Sequence, residues 1–102
     1  MSRPSLPPLV GPDRLTVDTA AAFRAAMLET LAAAAREQVP VIDVDLGGTT
    51  AIDAAGLGLL VLLEKRATAL GARVRLFRPS PTALAVLQRS RIHLRFDVSP
   101  AA

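Results

Sequence analysis

V-I-D-V-D-L-G-G-T-T-A-I-D-A-A-G-L-G-L-L, residues 41–60, changes backbone period part-way along. From Val39 to Leu46 the chain is rich in β-branched residues, and Ile42, Val44 and Leu46 alternate with polar neighbours, the pattern of a strand. Pro40 fits only at the start of that strand, because it has no amide to donate to a ladder. Gly47 and Gly48 end the alternation. Asp53 then caps a helix that runs through Leu70 and closes with Gly71 at the C′ position. Ala54 to Leu63 is apolar all round, so this part of the helix is expected to be buried or to dock a partner. Leu57, Leu60 and Val61 are expected to anchor it.

Upstream, residues 1–12 carry four prolines and one glycine, which excludes helix. Leu9 and Val10 read as the end of a first strand, and Leu15 to Val17 as a second after the Gly11–Arg14 turn. Asp18 is expected to cap a helix to about Arg36, with Phe23, Met27 and Leu31 recurring every fourth residue. Downstream, Ala72 to Phe77 alternates Val74 and Leu76 against arginines as a further strand. Ser80 and Pro81 form a cap and N1 pair for a third helix to about Ser90. The tail Ile92–Val98 reads either as an alternating strand or as a last helical turn before a short strand at Phe96 to Val98. Helices alternating with strands predict an α/β fold. Residues 1–102 are expected to form a single domain, a mixed β-sheet of four to five strands packed by three main helices. Residues 1–8 are expected to be a flexible Pro-rich N-terminus.

Composition narrows the function. The 102 residues are 51% hydrophobic and only 3% aromatic, and cysteine is absent, which excludes a disulfide scaffold, a thiolate zinc site and a cysteine nucleophile. The longest charge-free apolar run is too short for a membrane span and no signal peptide is read, so a cytoplasmic location without membrane insertion is expected. The net charge of +3 is unevenly placed: residues 64–95 hold eight cations and one anion, residues 1–63 four arginines and seven carboxylates. A basic half attracts phosphates. With no Trp or Tyr to stack on bases, however, it reads as a solvated face rather than a nucleic-acid site.

No catalytic or metal constellation emerges. His93 is the only histidine and reads as an exposed or hydrogen-bonded surface residue. Asp43 and Asp45 share a face of one strand, a pair suited to acid–base work or to Mg²⁺, yet read as a polar face at the sheet edge. The glycine-rich connection matches neither dinucleotide nor P-loop patterns. With Asp53 as cap, the amides of Ala54, Ala55 and Gly56 lie at the positive end of a helix, where a phosphate would be stabilised. No cofactor is expected.

Residues 41–60 also resemble the signature of STAS domains, the family of bacterial anti-sigma-factor antagonists: an apolar strand ending D-L, a short loop, then D-S-S-G-L-G-x-L opening a helix. G-A-R-V-R-L-F-R-P-S-P (71–81) and A-V-L-Q-R-S-R-I-H-L-R-F-D-V (85–98) are similar to the segments that follow in that family. The resemblance implies a non-catalytic, phosphorylation-controlled binding module. In such circuits an anti-sigma factor, itself a kinase, phosphorylates the second serine, and the added dianion weakens binding. Here the two serines are replaced by Ala54 and Ala55, so Ala55 stands at the phosphoserine position without a hydroxyl. Thr49 and Thr50 lie just upstream, and Thr50 is the candidate for an altered phosphorylation site.

The resemblance implies a contact surface comprising the loop Gly47–Ile52, the helix start Asp53–Gly58 and exposed parts of the first helix. Its partner-binding residues are Thr49, Thr50, Asp53, Ala54, Ala55, Gly56, Leu57 and Gly58. The expected partner is an anti-sigma factor or serine kinase. The alternative is the ATPase of a lipid-transporting ABC transporter, since some STAS proteins lacking the double serine are accessory subunits of such transporters. A monomer or weak dimer is expected.

Overall fold

The computed structural model describes residues 5–99. The Pro-rich terminus expected at residues 1–8 lies outside the described residues in its first four positions. The elements run β1 (Leu9–Val10), β2 (Arg14–Leu15), α1 (Ala20–Glu37), β3 (Val41–Asp45), β4 (Ala51–Ile52), α2 (Ala54–Ala69), β5 (Arg73–Phe77), α3 (Pro81–Arg89) and β6 (Asp97–Ser99). A 3-10 turn at Ile92–Arg95 precedes β6. The main sheet has the order β1-β3-β5-β6, and β2 pairs with β4 in a separate ribbon. The α/β class and the three helices are as expected from the sequence; every described pairing is parallel. Parallel pairing follows because a helix separates each pair of neighbours in the main sheet.

Strand order advances in one direction, so right-handed crossovers carry the helices to the same face of the sheet. That face is apolar: Ile42, Val44, Val74 and Leu76 are buried with Phe23, Met27 and Leu31 of α1, Leu60 and Leu63 of α2, and Leu87 of α3. The other face is open. Asp43 of β3 stands directly opposite Arg75 of β5, and its carboxylate receives Arg75 Nε at 2.6 Å and Nη2 at 3.0 Å. Arg73 pairs with Asp97 on β6. Asp43 and Asp45 therefore lie on a central strand rather than at a sheet edge. Asp43 neutralises a cross-strand arginine, and Asp45 accepts the Gly47 amide at 2.8 Å. Both partners come from the tertiary fold or the following turn.

Three local expectations are corrected. Thr19, not Asp18, is the N-cap residue of α1; its hydroxyl donates to the Arg14 carbonyl at 2.6 Å and leaves Asp18 exposed. The second strand ends at Leu15, because Thr16 and Val17 turn to meet α1 and α2. In α2 the buried positions are Gly56, Leu60, Leu63 and Ala67; Leu57 is half-buried and packs against the core as expected, whereas Val61, also half-buried, lies outside it. The spacing of four, three and four is the helical period. The tail takes the second of its two readings, with Arg91 in the left-handed region (φ 59) breaking the alternation and Leu94 exposed.

Candidate functional site

The connection from β3 to α2 positions the residues singled out by the sequence. Asp53 has extended backbone and caps α2 as expected. Its Oδ1 accepts the Gly56 amide at 3.0 Å and its Oδ2 accepts the Val17 amide at 2.9 Å. One carboxylate thus satisfies an orphan amide of the helix and pins the β2–α1 turn beside it. The helix start carries its own anion, so the Gly56 amide is not free for a phosphate.

Those hydrogen bonds, from Gly56 first and Val17 next, hold the Asp53 carboxyl below the usual aspartate value, against a smaller opposing effect of desolvation. A group with a depressed folded pKa stabilises the fold above its unfolded pKa, and that contribution is lost as pH falls through the folded value. In acid titration followed by circular dichroism, Asp53→Asn should lose less stability than the parent as pH falls below about 4. Equal losses would show that the charge of Asp53 does not tie the turn to the helix.

Gly56 is buried where α2 crosses β2. A Cβ there would lie 2.2 Å from the Leu15 carbonyl oxygen and 2.9 Å from Leu15 Cγ. Thr49 is also internal: fully buried, it donates its hydroxyl to the Pro12 carbonyl at 2.8 Å and accepts the Ser80 hydroxyl on its own carbonyl. Thr49 and Gly56, assigned to the contact surface from sequence, therefore lie beneath it, and Thr49 offers no hydroxyl to a kinase. Thr50 is exposed, with its hydroxyl 2.7 Å from Asp13 Oδ1 and its amide donating to the Asp13 carbonyl.

What remains outside is a small, nearly uncharged surface. Ala54 and Gly58 are exposed, Ala55 and Leu57 are half-buried, and Gly47, Gly48 and Thr50 extend the surface along the loop. Around Gly58 nothing lies within 4 Å of where a Cβ would stand. The structure adds Val17, 68% exposed and held beside the helix start through its amide to Asp53, and Asp13 beneath Thr50. These contacts span 36 and 37 positions of sequence. Sequence places Val17 at the end of the second strand, and nothing local to it, between Thr16 and Asp18, points to Asp53.

Residues 13–94 match the family model described as Mlab, STAS domain. The chain belongs to the STAS domain family. This STAS domain is similar to the 1.59 Å crystal structure of a candidate anti-sigma factor antagonist from Thermotoga maritima. The identity is 19% and the TM-score 0.77, over 95% of this chain and 84% of that one. An NMR structure of the same Thermotoga protein matches at 17% identity and a TM-score of 0.72, over 90% and 71% of the two chains. At such identities the likeness is one of fold. No curated protein matches this chain. No described helix is long and apolar enough to cross a membrane.

Proposed function

We propose that this STAS domain is a non-catalytic, cytoplasmic binding module of the anti-sigma-factor-antagonist type, held permanently in the unphosphorylated form. Ala54 and Ala55 stand where the family signature has its serines, and neither can accept a phosphoryl group. The docking surface is the outer side of the first turn of α2, formed by Ala54, Ala55 and Gly58 with Gly47, Gly48, Thr50 and Val17 around it. Asp53, Thr49 and Gly56 set its shape from within.

The observation that carries this reading is Gly58. A glycine inside a helix costs about 1 kcal/mol relative to alanine. Gly56 has an internal reason to lack a side chain, whereas Gly58 faces open space and has none within the chain. A partner backbone approaching closely at Gly58 supplies the reason. The alternative, an accessory subunit docked on the ATPase of a lipid-transporting ABC transporter, would use the same surface and is favoured by the same two alanines.

Isolation of the partner from the native host, followed by calorimetric titration, tests the surface and separates the two readings by whether a kinase or a transporter ATPase is recovered. Ala55→Glu is expected to change folding stability by less than about 1 kcal/mol, since a helix N-terminus tolerates negative charge. Partner affinity should fall by roughly 2 kcal/mol or more, because the carboxylate must be desolvated in an apolar contact. Gly58→Ala is expected to raise stability by up to about 1 kcal/mol while also weakening the complex. Undiminished binding by both variants would place the partner elsewhere on the domain.

A further inference from the structure

Away from the helix start, α1 and α2 enclose an apolar groove of about 380 Å³ between their C-terminal halves. Leu28, Ala32 and Ala35 of α1 line one wall, Ala69 and Leu70 the other, and Arg66 stands within it. Leu28 is 38% and Leu70 47% exposed, and with Ala32, Ala35 and Ala69 they line one apolar groove. Helical spacing continues both rows of residues beyond the groove. On α1, Arg24 lies one turn before Leu28 on the same stripe. On α2, Ala55, Leu59, Leu62, Arg66 and Leu70 recur at intervals of four and three. Between Ala55 and the groove, Leu59 and Leu62 of that row are half-buried and pack against the core, so the exposed part of the row is Arg66 and Leu70.

The charges define what fits. Arg24 and Arg66 make no ion pair among the described residues, whereas the ion pairs of the domain lie elsewhere, at Arg73, Arg75 and Arg95. No carboxylate belongs to either stripe. A two-fold contact with a second copy would set this patch against itself and bring like charges together. A concave trough between two helices also suits a third helix better than a flat lipid surface.

We propose that the α1–α2 groove receives an amphipathic helix of the partner protein, its apolar stripe seated between Leu28 and Leu70 and its flanking Asp or Glu residues paired with Arg66 and Arg24. This inference rests on the binding-module reading and adds the form and charge of the partner's contact. It gives the partner two points of attachment, one at the start of α2 and one along its length.

The probe is a fluorescein-labelled helical peptide of about 18 residues, some 27 Å long, with leucines at intervals of four and three and glutamates on both flanks. A second peptide replaces each glutamate with lysine. Anisotropy titrations are made with the full chain and with Arg66→Glu, whose side chain is exposed and about 16 Å along α2 from Ala55. The parent should bind the acidic peptide saturably and at least about ten-fold more tightly than the basic one, and Arg66→Glu should reverse that preference. The peptide titrations read the groove alone, whereas Ala55→Glu is read only against the isolated partner, so a failure here is distinct from a failure of the helix-start surface. Equal binding of both peptides by parent and variant would overturn the proposal. So would uptake by phosphatidylglycerol vesicles with no peptide binding, or sedimentation showing a dimer that Arg66→Glu alters.

Discussion

Gly56→Ala is expected to destabilise the domain by about 3 kcal/mol or more, lowering its thermal midpoint by 10 °C or more on the order of small-domain behaviour. In an exposed helix the same change would stabilise by about 1 kcal/mol. The sign reverses here because the new methyl group meets a backbone oxygen, that of Leu15, at 2.2 Å, and a carbonyl cannot swing aside as a side chain does. Relief requires α2 to lift from β2. That movement would stretch the Asp53 bridge between Gly56 and Val17 and disturb the Asp53 amide, which donates to the same Leu15 carbonyl at 3.3 Å. Thermal melting of Gly56→Ala beside Gly58→Ala is the measurement: two identical substitutions, two residues apart, with opposite expected signs. A stable Gly56→Ala protein would mean that α2 does not rest on the β2–β4 ribbon as described.

Leu60→Ala is expected to cost about 2–5 kcal/mol, measured as a fall in the guanidinium midpoint at unchanged slope. Leu60 is fully buried with Leu63 and Ala67 on the face of α2 that meets the sheet, and its removal leaves a cavity that the close-packed neighbours only partly fill. Against a total stability of roughly 5–15 kcal/mol for a domain of this kind, that loss is a large share. Val61, one position on, is only half-buried and lies outside the core, so Val61→Ala should cost markedly less. A loss below about 1 kcal/mol at Leu60, or a larger one at Val61, would mean that the helix is rotated about its axis.

The α2 start combines rigid support with a surface that the domain itself leaves unfilled. Asp53, Gly56 and Thr49 are each committed internally, through a bidentate cap, a close backbone approach and a buried hydroxyl. Ala54, Ala55 and Gly58 are free of such duties. The proposed docking site, built this way, would be held in shape before a partner arrives, so that less conformational entropy would be lost on binding. The exposed neighbours Thr50 and Asp13 are hydrogen-bonded to each other, which fixes the loop on its far side.

Much of this was legible in the residues alone. The alternation of Ile42, Val44 and Leu46, the cap at Asp53, the Ser80–Pro81 helix start and the closing Gly71 are signals carried within one or two turns of chain, and each stands where the sequence places it. The alanines at 54 and 55, and with them the absence of a hydroxyl at the helix start, are likewise facts of sequence. The phase of α2 was not legible, because Ala54 to Leu63 is apolar on every side and gives no preferred face; only the sheet on one flank and solvent on the other select Leu60 over Val61. Nor could sequence pair Asp43 with Arg75, bring Val17 to Asp53, or bury Thr49 under Pro12, since those partners lie 32 to 37 residues apart. Local backbone preference and hydrophobic period are properties of neighbouring residues and so can be read along the chain. Which polar groups are consumed inside, and which small residues are left for a partner, depends on which distant strands and turns come to lie together, and only the tertiary structure decides that.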